Sequence, residues 1–356
     1  MSKVVVGMSG GVDSAVAAYL LKAAGYDVVG LTLRTWDQDS GELSRCCEID
    51  DAREAANIIG IPYYTLNCVS NFRQKVVVPF MDEYLRGMTP NPCIGCNRDI
   101  KWERMMYFTK VVGADYVATG HYASVVRGAN GRYAVKRAQH AEKDQTYMLY
   151  LLTQEQLAST MMPLGALSKA EVRTIAENIG LPVAHKADSQ EICFVSDDDY
   201  AGYIERNYDG ELPPEGWFVG ENGEKYGRHN GIYHYTVGQR KGLGIALGKP
   251  AYVKKIDPDR NEVMLADNES LFTRNVICER ANFQSVDEPE EGQEIRCSAK
   301  VRYRHSAQPA TVTKESGGRI RVYFDEPVRA AAPGQSAVFY DEDGCLIGGG
   351  VIVDSY

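Results

Sequence analysis

The chain has 356 residues, 44% hydrophobic and 24% charged, with a formal net charge of −9. That composition suits a globular protein of two or three domains, and the acidic balance argues against a nucleic-acid partner unless basic residues gather on one face. Nine cysteines are too few for a disulfide scaffold, no apolar run approaches the roughly 20 residues that span a bilayer, and Met1-Ser2-Lys3 leads straight into a valine run too short for a secretory signal. A cytoplasmic protein with no membrane partner is expected.

The first third alternates short β-branched runs with helical patterns. Residues 4–7 read as a strand, 13–22 as a helix stopped by Gly25, 27–33 as a second strand, 51–59 as a helix stopped by Gly60, and 61–66 as a third strand. Residues 72–85 and 97–112 carry helical patterns, and 115–119 a fourth strand. Strands alternating with helices predict a parallel, doubly wound α/β domain, with its ligand site beyond the carboxyl ends of the strands. Residues 122–137 read as a hairpin turning at Ala129-Asn130-Gly131, Ser168 and Glu171 as the capping box of a helix that stops at Gly180, and 198–207 as another short helix. Beyond residue 210 period-2 runs appear at 251–256, 262–265, 294–304, 310–314, 319–324 and 336–340, with an acidic loop at 287–291 near a boundary. The expected division is an α/β nucleotide domain over 1–208, whose helical part from about residue 140 contacts the substrate, a central β-rich domain over 209–275, and a small β-barrel over 276–356.

Gly7, Met8, Ser9, Gly10, Gly11, Val12, Asp13 and Ser14 follow the first strand and open the first helix. Glycines let the backbone approach phosphates, and amide groups at a helix N-terminus face the negative charge. Ser9 and Ser14 add hydroxyl donors. Asp13 would repel bare phosphate, so it is assigned to Mg²⁺ bridging the phosphates. A plain glycine turn with a Ser or Asp helix cap is the competing reading. The hexapeptide resembles the PP-loop family of ATP pyrophosphatases, which cleave ATP to AMP and pyrophosphate and commonly adenylate a carbonyl-type oxygen. By itself the loop leaves open amidotransferases, argininosuccinate synthase-like enzymes, and tRNA-modifying sulfur or lysine transferases.

Cys93 and Cys96 stand three residues apart just before a helical pattern, and Cys193 follows about a hundred residues later. A helix N-terminus favours the thiolate. Structural zinc wants four ligands, commonly two Cys-x-x-Cys pairs, and no second pair exists. Adenylation turns a carbonyl oxygen into a leaving group, a persulfide on one cysteine can deliver sulfur, and a second cysteine can release it by disulfide exchange. Cys68, Cys278, Cys297 and Cys345 are expected to be buried small residues, and Cys46-Cys47 receive no role.

Beyond the loop, several long and widely spaced stretches carry a closer resemblance: Thr89-Pro90-Asn91-Pro92 with Cys96-Asn97, Gly120-His121-Tyr122-Ala123, Lys143-Asp144-Gln145, Asp188 to Phe194, Gly238 to Gly244, Val301 to Arg304 and Pro333 to Ser336. With these the chain resembles the bacterial tRNA-specific 2-thiouridylase family from end to end. The resemblance implies an adenine nucleotide alpha hydrolase-like domain followed by two β-rich domains. It implies ATP-dependent 2-thiolation of the wobble uridine in the tRNAs for Lys, Glu and Gln, with Cys193 as persulfide carrier, Cys96 as nucleophile and a Cys96–Cys193 disulfide at the end. ATP maps to residues 7–14, Leu33 and Gly120, with Leu33 meeting adenine through its backbone. Asn91, Pro92 and Cys93 become the base pocket, and His121, Lys143, Asp144, Gln145, Arg302, Tyr303 and Gln335 become tRNA neighbours. Partners are tRNA and a persulfide donor protein, and the enzyme is expected to be a monomer.

Many members of that family carry Asp, to which proton handling has been assigned, where this chain has Cys93. Three thiols, Cys93, Cys96 and Cys193, could also hold an iron–sulfur cluster with one open iron, so persulfide relay and cluster-bound sulfur both stay open. Basic residues crowd three segments: Arg127, Arg132, Lys136, Arg137, His140 and Lys143; Arg228, His229, His234, Arg240, Lys241 and Lys249; and Lys300, Arg302, Arg304 and His305. Each could follow a phosphate backbone or be a solvated surface. Another PP-loop ligase or amidotransferase would leave the cysteines without a task, and a tRNA-binding protein without catalysis would not need Asp13, Cys96 and Cys193 together.

Overall fold

The computed structural model describes residues 1–36, 49–186, 192–195 and 197–356. Strands β1 (Lys3–Gly7), β2 (Asp27–Arg34), β3 (Tyr63–Asn67) and β4 (Tyr116–Ala118) alternate with helices α1 (Val12–Ala23) and α2 (Ile49–Ile59), and with two longer helical runs. The first of these is α3 (Val69–Phe72), a π turn and α4 (Val78–Leu85). The second is α5 (Pro92–Cys96), a π turn over Asn97–Trp102 and α6 (Glu103–Val112). The hairpin of β5 (Ala123–Arg127) and β6 (Tyr133–Arg137) follows. After α7 (Gln154–Ala158) comes β7 (Thr160–Met161), which completes a parallel sheet of order β3-β2-β1-β4-β7. Helices α8 (Lys169–Asn178) and α9 (Tyr200–Asn207) end this part.

Alternation along β1 builds both faces of the sheet. Val5 points into one core with Leu31, Val117, Phe72 and Phe80, while Val4 and Val6 point into another with Val16 and Ala56. The central strands are buried on both sides, so they read as continuous apolar runs.

The middle sheet has the order β10-β11-β8-β9 and is built from β8 (Gly216–Val219), β9 (Lys225–His229), β10 (Tyr252–Asp257) and β11 (Glu262–Ala266). The last six strands close an antiparallel barrel in the order β12-β15-β14-β13-β16-β17. They are β12 (Phe272–Phe283), β13 (Glu294–Lys300), β14 (Gln308–Lys314), β15 (Ile320–Arg329), β16 (Ser336–Tyr340) and β17 (Leu346–Ser355).

The barrel is fastened to the α/β part by buried polar groups. The Gln284 side chain is fully buried; it donates to the carbonyls of Leu149 (2.9 Å) and Tyr150 (3.1 Å) and accepts from the Val135 amide (3.0 Å). Tyr147 donates to the Ser336 carbonyl at 2.8 Å. Such bonds satisfy groups that would otherwise be buried and unpaired, at a cost of about 1–3 kcal/mol each.

Several sequence expectations need correction. The strand expected over 294–304 stops at Lys300, and Val301 to Arg304 turn instead. The 97–112 helix begins at Pro92, because the Asn91 side chain caps the Cys93 amide and proline suits the first helical position. The acidic 287–291 loop joins β12 to β13 inside the barrel rather than lying at a boundary. Cys297 and Cys345 are half-buried rather than buried, whereas Cys68 and Cys278 are buried as expected. Cys46-Cys47 and Asp188 lie outside the described residues.

Candidate nucleotide and thiol site

The loop between β1 and α1 is shaped as an anion cradle. Gly10 has φ +79°, a conformation that favours glycine. The Ser14 hydroxyl donates to the Gly11 carbonyl (3.0 Å) and accepts from the Ser9 amide (3.1 Å), which folds the loop on itself. The N-cap of α1 is Gly11, and no side chain caps the helix. The reading of Ser or Asp as a simple helix cap therefore fails, and the first turn keeps its amides for an outside acceptor.

Gly120, two residues past β4, presses against this loop. A β-carbon there would stand 2.7 Å from the Asp13 carbonyl carbon and 2.7 Å from the Ser14 nitrogen. Gly120→Ala is expected to displace the loop, weakening binding of a non-hydrolysable ATP analogue by about tenfold or more and costing about 1–3 kcal/mol of stability. Titration calorimetry and thermal melting check this, and unchanged affinity would contradict it. Leu33, 8% exposed, stands two residues beyond Leu31, the register partner of Gly7, at the same carboxyl edge of the sheet.

Three side chains that sequence reasoning missed surround the loop. Lys169, the first residue of α8, donates to both Asp13 oxygens at 2.8 and 2.9 Å. Tyr122 donates its hydroxyl to Asp13 Oδ1 at 2.7 Å. Lys186 is bonded to Asp51 at 2.6 Å and approaches the Gly10 carbonyl at 3.5 Å; burial pulls its pKa down. Asp13 is thus an ion-paired carboxylate beside the helix N-terminus. The capping box that announced α8 was the one sequence signal near Lys169. The two lysines bring positive charge to the loop from remote chain positions, each paired with a carboxylate.

Cys93 and Cys96 belong to a helix rather than to a loop before one. Cys93 is exposed in the first turn, and its amide donates to Asn91 Oδ1 at 3.2 Å. Cys96 is 8% exposed and lies in the apolar cluster with Phe72, Phe80 and Phe194, and Cys193 packs against that same cluster. Phe194 fixes the neighbourhood of Cys193 through edge contacts with Phe72 (5.6 Å) and Phe80 (5.2 Å). Among the described residues no group of three or more His, Cys, Asp or Glu is arranged to hold a metal ion.

A cavity of about 440 Å³ lies beside this helix, lined by Asn91, Pro92, Arg98, Tyr150, Arg280 and Ser336 among others; neither Cys93 nor Cys96 lines it. The Thr89–Asn91 stretch above it is held by the barrel. The Thr89 amide donates to the Pro333 carbonyl (2.8 Å), and the Gln335 side chain donates to the Thr89 carbonyl (2.9 Å).

The expected RNA-contacting residues divide into two kinds. Asp144 is buried and accepts from the Thr146 hydroxyl (2.9 Å) and the Ala138 amide (3.3 Å), so it is an anchor rather than a surface group. Arg302 is bonded to the carbonyls of Val237 (2.7 Å) and Ala330 (3.0 Å), joining the segment between β9 and β10 to the one that follows β15. Tyr303 is half-buried, 6.0 Å from the Tyr147 ring. His121 pairs with Thr119 at 2.8 Å beside Trp102, and burial together with the Lys101 charge pushes its pKa down to about 3, so it is a neutral group at physiological pH. Arg132 is taken up by the barrel carbonyls of Phe283 and Gln284 and by Asp287, and His229 is buried. Lys143 and Gln145 are half-buried, while Arg304, Arg240, Lys241 and Lys249 are exposed.

The parallel sheet, the uncapped glycine loop and the barrel define an α/β nucleotide-binding domain carrying β-rich modules. Three family models cover the same parts: the tRNA methyl transferase HUP domain over residues 2–197, the tRNA methyl transferase PRC-barrel domain over 209–267, and the Aminomethyltransferase beta-barrel domain over 274–352. The chain is 52% identical to the tRNA-specific 2-thiouridylase MnmA of Lachnoclostridium phytofermentans over 99% of this chain and 100% of that one. It is 49% identical to the MnmA of Clostridioides difficile over 99% and 98%. The chain belongs to the tRNA-specific 2-thiouridylase family. A solved U34-tRNA thiolase, NcsA from Methanococcus maripaludis with its [4Fe-4S] cluster, matches at 22% identity and a TM-score of 0.37, covering 59% of this chain and 67% of that one. That likeness is too distant to carry a cluster over. Among the described residues no helix is long and apolar enough to cross a membrane.

Proposed function

We propose that this chain is an ATP-dependent tRNA sulfurtransferase that converts the wobble uridine to 2-thiouridine in the tRNAs for Lys, Glu and Gln. Full-length identity of about half to curated 2-thiouridylases supports the activity. The observation that carries the chemistry is the uncapped N-terminus of α1 behind Gly10 and Gly11, on the same α/β body as the two thiols of Cys96 and Cys193.

In this reading residues 7–14, Leu33 and Gly120 hold ATP, and amides of the α1 first turn bind the phosphates. Asp13 would hold Mg²⁺ on the phosphates, and such an ion would supply neutralisation of phosphate charge as the bond from the α-phosphorus to pyrophosphate breaks. Lys169 and Lys186 bind the departing pyrophosphate. The uridine O2 attacks the α-phosphorus, pyrophosphate leaves, and O2 becomes part of an AMP leaving group.

The terminal sulfur of a Cys193 persulfide then attacks C2 and AMP departs. The Cys96 thiolate attacks Cys193 Sγ, which frees the thiocarbonyl and leaves a Cys96–Cys193 disulfide for an external thiol to reduce. A persulfide donor protein reloads Cys193. Cys93, exposed one turn earlier, takes the uridine N3 proton in this reading, with Asn91 and Pro92 beside it as the base pocket. Sulfide on an iron–sulfur cluster, which Cys93, Cys96 and Cys193 would hold, is the alternative source of the transferred sulfur. Lys143, Gln145 and Tyr303 face the RNA, with Asp144, Arg302, His121 and Gln335 shaping that wall. The enzyme acts as a cytoplasmic monomer.

The test supplies unmodified tRNA, ATP, Mg²⁺ and a sulfur donor and analyses nucleosides by mass spectrometry. 2-Thiouridine should form only with ATP; its absence under both aerobic and anaerobic conditions would overturn the proposal.

A further inference from the structure

The expected RNA-contacting segment and the phosphate loop are joined through one side chain. Tyr122 is 2% exposed. Its amide donates to Gln145 Oε1 at 2.9 Å, and its carbonyl accepts from the Gln145 amide at 3.1 Å. At its other end the phenol donates to Asp13 Oδ1 at 2.7 Å. The segment that grips its backbone is itself pinned by the buried Asp144 through Thr146 and Ala138. Lys169, which shares the Asp13 carboxylate, lies 6.0 Å from the centre of the Tyr122 ring.

A tyrosine has two side-chain torsions, so a buried one is a stiff lever. Displacement of Gln145 must move the Tyr122 backbone, and the ring passes that motion to an oxygen of Asp13. A buried tyrosine hydroxyl usually finds some partner, and a backbone carbonyl would have served if filling the core were its whole task. Here the partner is the loop carboxylate, and both backbone groups belong to Gln145.

The geometry points to Tyr122 as a positioning residue that couples tRNA on the 143–145 segment to the Asp13 carboxylate, so that ATP is held for cleavage only when RNA is in place. This rests on the functional reading above, which places ATP at the loop and tRNA at that segment. Such coupling keeps ATP from being cleaved with water as the acceptor. It is reciprocal, and typical allosteric couplings amount to about 5- to 150-fold in affinity.

The test uses the full chain, as wild type and as Tyr122→Phe, which keeps the ring and removes the hydroxyl. The affinity of an ATP analogue blocked between the α and β phosphates is measured with Mg²⁺, with and without unmodified tRNA. In the wild type saturating tRNA should tighten the analogue by about fivefold or more. In Tyr122→Phe, with a melting temperature close to wild type, that ratio should fall to near one while each ligand still binds alone. A second readout is AMP formed per 2-thiouridine, which should be near one in the wild type and rise in the variant. A wild-type affinity ratio near one, or a variant that keeps both the ratio and the stoichiometry, would overturn the inference. Failure of the wild type to bind the analogue or the tRNA at all would instead overturn the functional reading.

Discussion

Asp13→Asn is expected to lower kcat/KM for ATP by about 10²-fold or more, with the fold retained. The substitution keeps the shape of the side chain and removes one negative charge. That charge does two things at once. It holds Lys169, whose side chain is only 13% exposed, through two bonds. In the proposed reaction it also offers an oxygen to Mg²⁺ on the phosphates. Loss of a single preorganised electrostatic partner at a reacting centre typically costs 10²–10³ in rate, and metal-borne charge neutralisation is worth several kcal/mol. The effect on stability can be tested in a double variant. Adding Lys169→Met to Asp13→Asn removes the stranded ammonium and should recover thermal stability without recovering activity. If activity returned along with stability, Asp13 would be a counterion alone and Lys169 would have no part in binding pyrophosphate.

Cys193→Ser is expected to abolish 2-thiouridine while ATP-analogue binding persists. Removal of a covalent nucleophile commonly costs on the order of 10³-fold or more, and a serine hydroxyl cannot carry a persulfide. The residue lies between Ile192 and the buried Phe194, against the cluster that holds Cys96. Exchange of sulfur for oxygen at a half-buried position should leave Phe194 and its ring contacts in place. Thiouridine analysis beside titration of the analogue checks both halves. Full activity of Cys193→Ser would mean that sulfur travels by another route.

The phosphate loop was legible because everything that shapes it is local: a valine run, a glycine that needs positive φ, and the start of an alanine-rich helix within a dozen residues. The parallel sheet followed from the same alternation. What stayed hidden is what tertiary folding brings together. Lys169 lies 156 residues from Asp13, and Lys186 lies 135 from Asp51; no spacing in the sequence announces either pair. Strand β12 escaped notice because register shifts and a positive φ at Arg280 break its period-2 pattern. Strand β17 was hidden by its glycines, which are needed where the barrel backbone meets Asn282 and the Tyr150 ring. Arg132 and Arg302 read as phosphate contacts from their basic neighbours, and the structure adds that both donate to backbone carbonyls. Charge in a sequence reports a residue's type and not the direction it faces. The start of α5 was within reach, since Asn91-Pro92 is a cap followed by a proline at the first helical position.

The central claim is that ATP makes the uridine O2 a leaving group so that sulfur takes its place. The most direct measurement uses tRNA carrying ¹⁸O at C2 of the wobble uridine, followed by mass analysis of the AMP released. The account predicts one ¹⁸O in AMP for each 2-thiouridine formed. Unlabelled AMP accompanied by full thiolation would contradict it.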